Sequence, residues 1–596
     1  MRQSLLISIL FCAMLTMGFA QSIHYNLRME KPAAHYFQVE MVVKDFKKSS
    51  LEFKLPVWAP GSYLVREFSK NLDLVKATDK NGKALQINKS NKNTWVVDTK
   101  NVKEVHINYE VYSFELTVRT SFLDNTHGFV SGSGVFMYLN NAKDVLGTLD
   151  VYPHSSFSKI TTALNRSKES EVSDEKTSFE FKDYDQLVDC PIEIGNQETF
   201  SFNAAGLNHD VGIYGRGNHD IEQLKIDMPK IIESATSVFG VNPNKNYTFI
   251  IHNVENGQGG LEHINSTTLS VNRWTYEGSK YIGFLSLVAH EYFHLWNVKR
   301  IRPIELGPFN YDEENYTTLL WVMEGFTSYY DELLLLRAGY YDKDTYLRKL
   351  NGTLNYVEGS TGSRIQPLAH ASYDAWIKAY RPNENSVNTT MSYYSRGQMM
   401  AMLFDAMIID KYKGEKGLDD FMQILYNKYY LGKKRGFTED EFKTTLEELL
   451  GYDLSDFFKK YIHGTEIPDY KTVLEKVGIV VQDVSDFETS FGSLTRNSGN
   501  SAIVTRIRRE SAAEVSGLSV GDEIIAIDDI RVDSDVLDAI LESMTKGDTF
   551  ELIISRDNLL MKLDCKMDDY FKTRFNFELD DKVNTVNSNY WLRSNK

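Results

Sequence analysis

From Ser22 to about Cys190, apolar and polar residues alternate with a period of two. The segments 35–43, 50–55, 94–98 and 105–111 each place every second residue among Val, Ile, Leu, Phe, Trp or Tyr, and Pro60-Gly61 and Asn81-Gly82 stand between them as turn signals. Alternation of this kind predicts half-buried strands, and the run as a whole predicts an antiparallel β-sandwich over residues 21–197. From about Glu198 the period changes. A short apolar run, 247–252, reads as a strand and leads into a glycine-rich stretch. Helical patterns then cover 281–297, 317–338, 392–412 and 439–450, the second closed by Gly339 and the last opened by Thr438 as N-cap. The pattern predicts an α-rich domain with a small sheet over 198–474. Short strands with one or two helices follow over 475–568. A tail, 569–596, carries Tyr570, Phe571, Phe575, Tyr590 and Trp591, aromatic enough to pack. The architecture expected is therefore multidomain α+β.

Composition adds a few limits. A chain of 596 residues is too long for one core and should form three to four domains. The formal charge is −16, with a pI near 5.4, which argues against a nucleic-acid partner, because that partner needs a basic face. Residues 1–20 have the pattern of a secretory signal peptide: Arg2, then an apolar run, then Gly18-Phe19-Ala20 with small residues at the cleavage positions. The apolar run is short for a membrane span, so cleavage after Ala20 is expected, giving a secreted or periplasmic protein with no integral membrane segment. Of the three cysteines only Cys190 and Cys565 lie beyond the leader, too far apart in sequence to suggest a disulfide.

The chemistry concentrates in His290-Glu291-Tyr292-Phe293-His294. Residues i and i+4 share one helical face, so both imidazoles can reach a single cation about 2 Å from each ring nitrogen. Glu291 projects beside that cation, placed to take a proton from activated water. Apolar flanks (Phe284, Leu285, Leu287, Val288 and Ala289 before, Leu295 and Trp296 after) predict a buried helix. A histidine pair with a glutamate between them is costly there without a metal. A zinc site of this type needs a third protein ligand, and Glu324, in Trp321-Val-Met-Glu-Gly-Phe-Thr327, is the lone carboxylate of an otherwise apolar helix.

His-Glu-x-x-His followed by Trp-x-x-Glu-Gly-Phe-Thr resembles the gluzincin metallopeptidases, with their thermolysin-like catalytic domain and helical bundle. The stretch 290–303, HEYFHLWNVKRIRP, is similar to the glycyl aminopeptidase family, as is 183–195, DYDQLVDCPIEIG. The 29 residues between His294 and Glu324 are more than the alanyl aminopeptidase (aminopeptidase N) family has, which favours the glycyl family. The resemblance implies a zinc cofactor, peptide substrates and a preference for Gly or Ala as first residue. It also implies roles for further residues. Gly259-Gly-Leu-Glu-His263 looks like the alanyl aminopeptidase signature Gly-x-Met-Glu-Asn. Carried over, Glu262 would pair with the substrate ammonium while Gly259 and Gly260 lie along the peptide. Tyr393-Tyr-Ser-Arg-Gly397 resembles the segment whose tyrosine hydroxyl stabilises the oxyanion. Register with Gly397 selects Tyr394, with Tyr393 in reserve.

The segments Ser501–Ile507, 511–518 and 520–527 resemble a PDZ domain, whose members bind peptide C-termini by strand addition. In place of the Gly-Leu-Gly-Phe loop stands Ser490-Phe-Gly-Ser-Leu494, so both a bound C-terminus and a role in shaping access to a cleft stay open. Two other functions are compatible with these residues: a zinc endopeptidase using the same metal site, and an inert scaffold that binds peptides through the PDZ-like module.

Overall fold

The computed structural model describes residues 21–167, 175–580, 582–583 and 585–593; the leader lies outside them. The chain divides into two units. One comprises Met1–Pro229, Asn242–Leu295 and Phe309–Glu314, the other Lys230–Val241, Trp296–Pro308 and Asn315–Lys596.

The first unit begins with β-rich layers. A seven-stranded sheet runs in the order Asn165–Arg166, Thr177–Phe181, Gly147–Tyr152, Ser22–Arg28, Tyr36–Lys44, Glu104–Tyr112, Leu72–Asp79, accompanied by two four-stranded sheets. The period-two reading holds here: Ile23, Tyr25 and Leu27 of the first strand point inward and join Phe37, Val39, Met41, Phe53, Val97, Ile107, Leu149 and Phe179 in one core. One pairing departs from the expected antiparallel pattern, since Ser22–Arg28 runs parallel to Gly147–Tyr152. Alternation fixes which face a residue takes but not the direction of its neighbour strand.

A five-stranded mixed sheet follows, ordered Glu198–Ala204, Leu207–Tyr214, Asn246–Val254, Ser266–Asn272, Gly260–Glu262. Asn246–Val254 lies between two parallel neighbours and is buried on both faces, which explains its nearly unbroken apolar run. Gly260–Glu262 forms the edge. A buried knot joins these layers: the Glu193 carboxylate sits between His127 Nδ1 (2.7 Å) and His252 Nε2 (2.9 Å), all three side chains fully buried.

In the second unit, helices Phe326–Arg337, Lys343–Gly359, Leu418–Leu425 and Glu439–Leu450 accompany Tyr393–Lys411, which is buried on nearly every face. Ser392 caps Tyr393–Lys411 by accepting from Ser395 N, and Thr438 with Glu441 forms a capping box. The PDZ-like part is a sheet in the order Ser493–Ser498, Ser501–Ile507, Glu523–Ile527, Thr549–Arg556, Leu559–Lys566, packed on Ser534–Glu542 through Phe491, Val504, Ile524, Leu537 and Leu552. The tail packs. Asp569–Lys572 pairs with Asp486–Thr489, Phe575–Leu579 pairs with Ile479–Asp483, and helix Thr585–Trp591 buries Trp591. Cys190 and Cys565 are both buried and form no disulfide.

Candidate active site

Helix Gly278–Phe293 carries the histidine–glutamate motif, with His294 at its C-cap in helical conformation, so the i, i+4 relation survives to the last turn. The two imidazole centroids are 4.7 Å apart and nearly perpendicular. Tyr292, on the opposite face, is held by His209 Nε2 at 2.9 Å and by Asn242 Nδ2 at 2.7 Å, and packs on Tyr247 and Phe249. Those contacts fix the rotation of the helix and thereby the direction of both histidines. The helix ends four residues earlier than the pattern predicted, because the chain turns at Leu295–Val298, where Val298 adopts a φ of 90°.

Beside the helix runs the edge strand. A ligand atom from each of Glu262, Glu291 and His294 falls within 4.8 Å of the other two. Gly260 passes so close that a Cβ on it would lie 2.4 Å from Glu291 Cδ and Oε1. Gly259, at φ 103°, turns the chain into the strand. The Gly260 carbonyl accepts from Arg119 Nη2 at 3.1 Å, and a Cβ on Gly61 would lie 2.6 Å from Glu262 Oε1 and from Leu261 Cδ1, so the Pro60-Gly61 turn bears directly on this strand. Glu262 is 4 % exposed, and no hydrogen bond or ion pair holds its carboxylate among the described residues. Two carboxylates this close, one of them unpaired, demand positive charge. His263 braces the strand: its Nδ1 is 3.1 Å from Asp189, which also accepts from Ile264 N at 2.9 Å.

Glu324, 3 % exposed, belongs to a single wide turn, Trp321–Gly325, of π type, which opens helix Phe326–Arg337. Such a turn breaks the ordinary carbonyl pattern, and Asn297 repairs it: its Nδ2 donates to Val322 O (2.9 Å), Met323 O (2.9 Å) and Thr327 Oγ1 (3.1 Å). Sequence reasoning passed over Asn297, whose signal was its place inside the 290–303 motif. Gly325 and Gly397 touch, a Cβ on Gly325 meeting Gly397 Cα at 2.4 Å, which explains why each motif carries glycine there. His290 and His294 are candidate donors of the first unit and Glu324 is a buried candidate donor of the second. Two imidazoles and one carboxylate are a donor set that suits a divalent ion of the zinc kind.

Tyr393 and Tyr394 occupy the first turn of helix Tyr393–Lys411, with ring centroids 4.7 Å apart. Tyr393 is 1 % exposed and Tyr394 is half-buried, so Tyr394 is the more open phenol. Arg396 turns inward instead, donating to Ser363 O at 3.2 Å and Glu466 O at 2.9 Å.

Imidazole donors next to a carboxylate without a cation are an arrangement that a metallo-aminopeptidase requires. Comparison with known families carries this further: the Peptidase M61 N-terminal domain matches residues 24–196, M61 glycyl aminopeptidase matches 283–400, and a PDZ domain matches 476–567. The chain belongs to the M61 glycyl aminopeptidase family. Among solved structures it is similar to an aminopeptidase N family protein from Idiomarina loihiensis, with 31 % identity, a TM-score of 0.88, and coverage of 95 % of this chain and 99 % of that one. An M1 zinc metallopeptidase from Deinococcus radiodurans matches at 13 % identity with a TM-score of 0.49, covering 75 % of this chain and 95 % of its own. Yeast LTA4 hydrolase in complex with bestatin matches at 13 % with a TM-score of 0.49, covering 77 % and 69 %. No curated protein matches by sequence.

Proposed function

We propose that this protein is an exported zinc aminopeptidase that releases the first residue of peptides, with His290, His294 and Glu324 holding the metal. The observation that carries the reading is Glu262. It is a buried carboxylate without a partner, on a glycine-lined edge strand next to Glu291 and His294, where an ammonium group would neutralise it. Zinc bound to the donor triad would supply a Lewis acid for the scissile carbonyl. Glu291 takes the proton from the attacking water and hands it to the departing amine. Tyr394 donates its phenolic hydrogen to the developing oxyanion, with Tyr393 as the reserve donor. Gly259 and Gly260 let the peptide backbone approach the strand. A small first residue, Gly or Ala, agrees with the family and with the Pro60-Gly61 turn pressed against Glu262 and Leu261. The leader pattern of residues 1–20 supports export, and a mature chain beginning at Gln21 by mass would verify it.

Amides of Gly, Ala and Leu, each with free and acetylated amino termini, test the assignment. Free termini should be cleaved about 100-fold faster or more, and Glu262→Gln should erase most of that difference. Equal cleavage of both forms would identify an endopeptidase instead. Glu291→Gln should keep one equivalent of metal by elemental analysis while losing turnover.

A further inference from the structure

Within the second unit a cavity of about 860 Å³ lies with Ser392, Tyr393 and Tyr394 in one part of its wall and Arg506, Arg508 and Lys572 of the PDZ-like part in another. That volume suits an organic ligand of several residues rather than an ion. Its charged lining is wholly cationic: the three basic residues contribute, and no Asp or Glu does. Lys572 is already paired with Glu488 at 2.9 Å. Arg506 and Arg508 have no carboxylate against them in the cavity. Both line the cavity, Arg506 from strand Ser501–Ile507 and Arg508 from just past its end. Arg508 stacks on Tyr570, its guanidinium carbon 3.5 Å from the ring centroid, and burial lowers its pKa from the ordinary arginine value. A half-buried guanidinium without a carboxylate gains most from a ligand that supplies one.

The segment 490–494 borders the same cavity, Ser490, Gly492, Ser493 and Leu494 all lining it. This is the segment that stands where a PDZ domain has its carboxylate loop. Here it faces a space shared with the tyrosines that the aminopeptidase reading uses.

We propose that this cavity receives the free α-carboxylate of short peptide substrates, held by Arg506 and Arg508. The proposal rests on the aminopeptidase reading through Tyr394. It makes the enzyme selective for short peptides with unblocked C-termini over long or amidated ones.

The test is a series of alanine peptides of two to six residues, each as free acid and as C-terminal amide, with kcat and KM measured separately. At the length that spans the cavity the free acid should be favoured about tenfold, chiefly in KM. Arg506→Gln/Arg508→Gln should bring the acid-to-amide ratio to about one, and Arg508→Lys, which keeps the charge, should retain part of it. Alanine p-nitroanilide, which has no downstream residues, should be turned over equally by all variants, and equal melting temperatures would establish that they fold. A ratio of one at every length in the wild type, or a ratio untouched by the double substitution, overturns the proposal. Should the wild type fail on alanine p-nitroanilide, the aminopeptidase reading falls by itself. Calorimetric binding of the same acid and amide pairs then decides for or against the cavity.

Discussion

Gly260 cannot be exchanged without displacing Glu291. A methyl group there would sit 2.4 Å from the Glu291 carboxyl carbon, on the side facing the edge strand. Gly260→Ala should therefore lower kcat/KM about 100-fold, the scale of a misplacement near 1 Å, while the melting temperature changes little. A large loss of stability with unchanged kcat/KM in the surviving fraction would contradict this. Glu193 makes a different prediction. Burial raises its pKa, but His127 and His252 outweigh burial and bring the carboxyl below its ordinary 4.5. Its contribution to stability is thus fully present above pH 4.5 and disappears as pH falls through the lower, folded-state value. The wild type should lose melting temperature more steeply than Glu193→Gln below pH 4.5, and parallel curves would refute the assignment. At this scale, the candidate metal donors were readable because their spacing is itself the chemistry. Asp189 and Glu193 were visible only as letters of a motif, since each acts through partners far away in sequence: His263, His127 and His252.

At the scale of elements, periodicity and caps did most of the work. Helix Glu439–Leu450 begins and ends where Thr438 and Gly451 require. The helix expected from Thr317 starts later, because the Thr317 hydroxyl accepts from Leu319 N and holds that stretch in a local turn. Its opening π turn left no trace in the hydrophobic pattern, because it depends on an amide side chain 25 residues upstream of Val322. Helix Ile221–Phe239 went unread, and it carries Pro229 in its interior, where proline normally signals a break. Asn297 gives the element-scale prediction. Asn297→Ala removes three hydrogen bonds, to two carbonyls and a hydroxyl, around the turn that carries Glu324. Zinc affinity, measured by chelator competition, should fall by about 10- to 100-fold. Unchanged affinity would mean that the turn holds Glu324 without this amide.

Across the whole second unit, the tail proves to be structural. Trp591 Nε1 donates to Tyr329 Oη at 2.6 Å, Tyr329 donates to Asp405 at 2.6 Å, and Leu418 N donates to Asp405 at 2.7 Å. Burial pushes the Asp405 carboxyl up to about 6, against the Tyr329 and Leu418 hydrogen bonds, which favour its charged form. Trp591→Ala should cost about 3–5 kcal/mol in urea unfolding, through the cavity it leaves. Trp591→Phe, which loses mainly the N–H, should cost about 1–2 kcal/mol. Equal costs would show that volume alone matters there.

Tyr329 stands on the helix that Glu324 opens, and its tryptophan partner, Trp591, lies 262 residues further along the chain. A ribosome making this protein therefore releases that helix long before the residue that braces it. Until Trp591 has emerged, the nascent polypeptide lacks that brace, and the helix that Glu324 opens waits for a contact made 262 residues downstream.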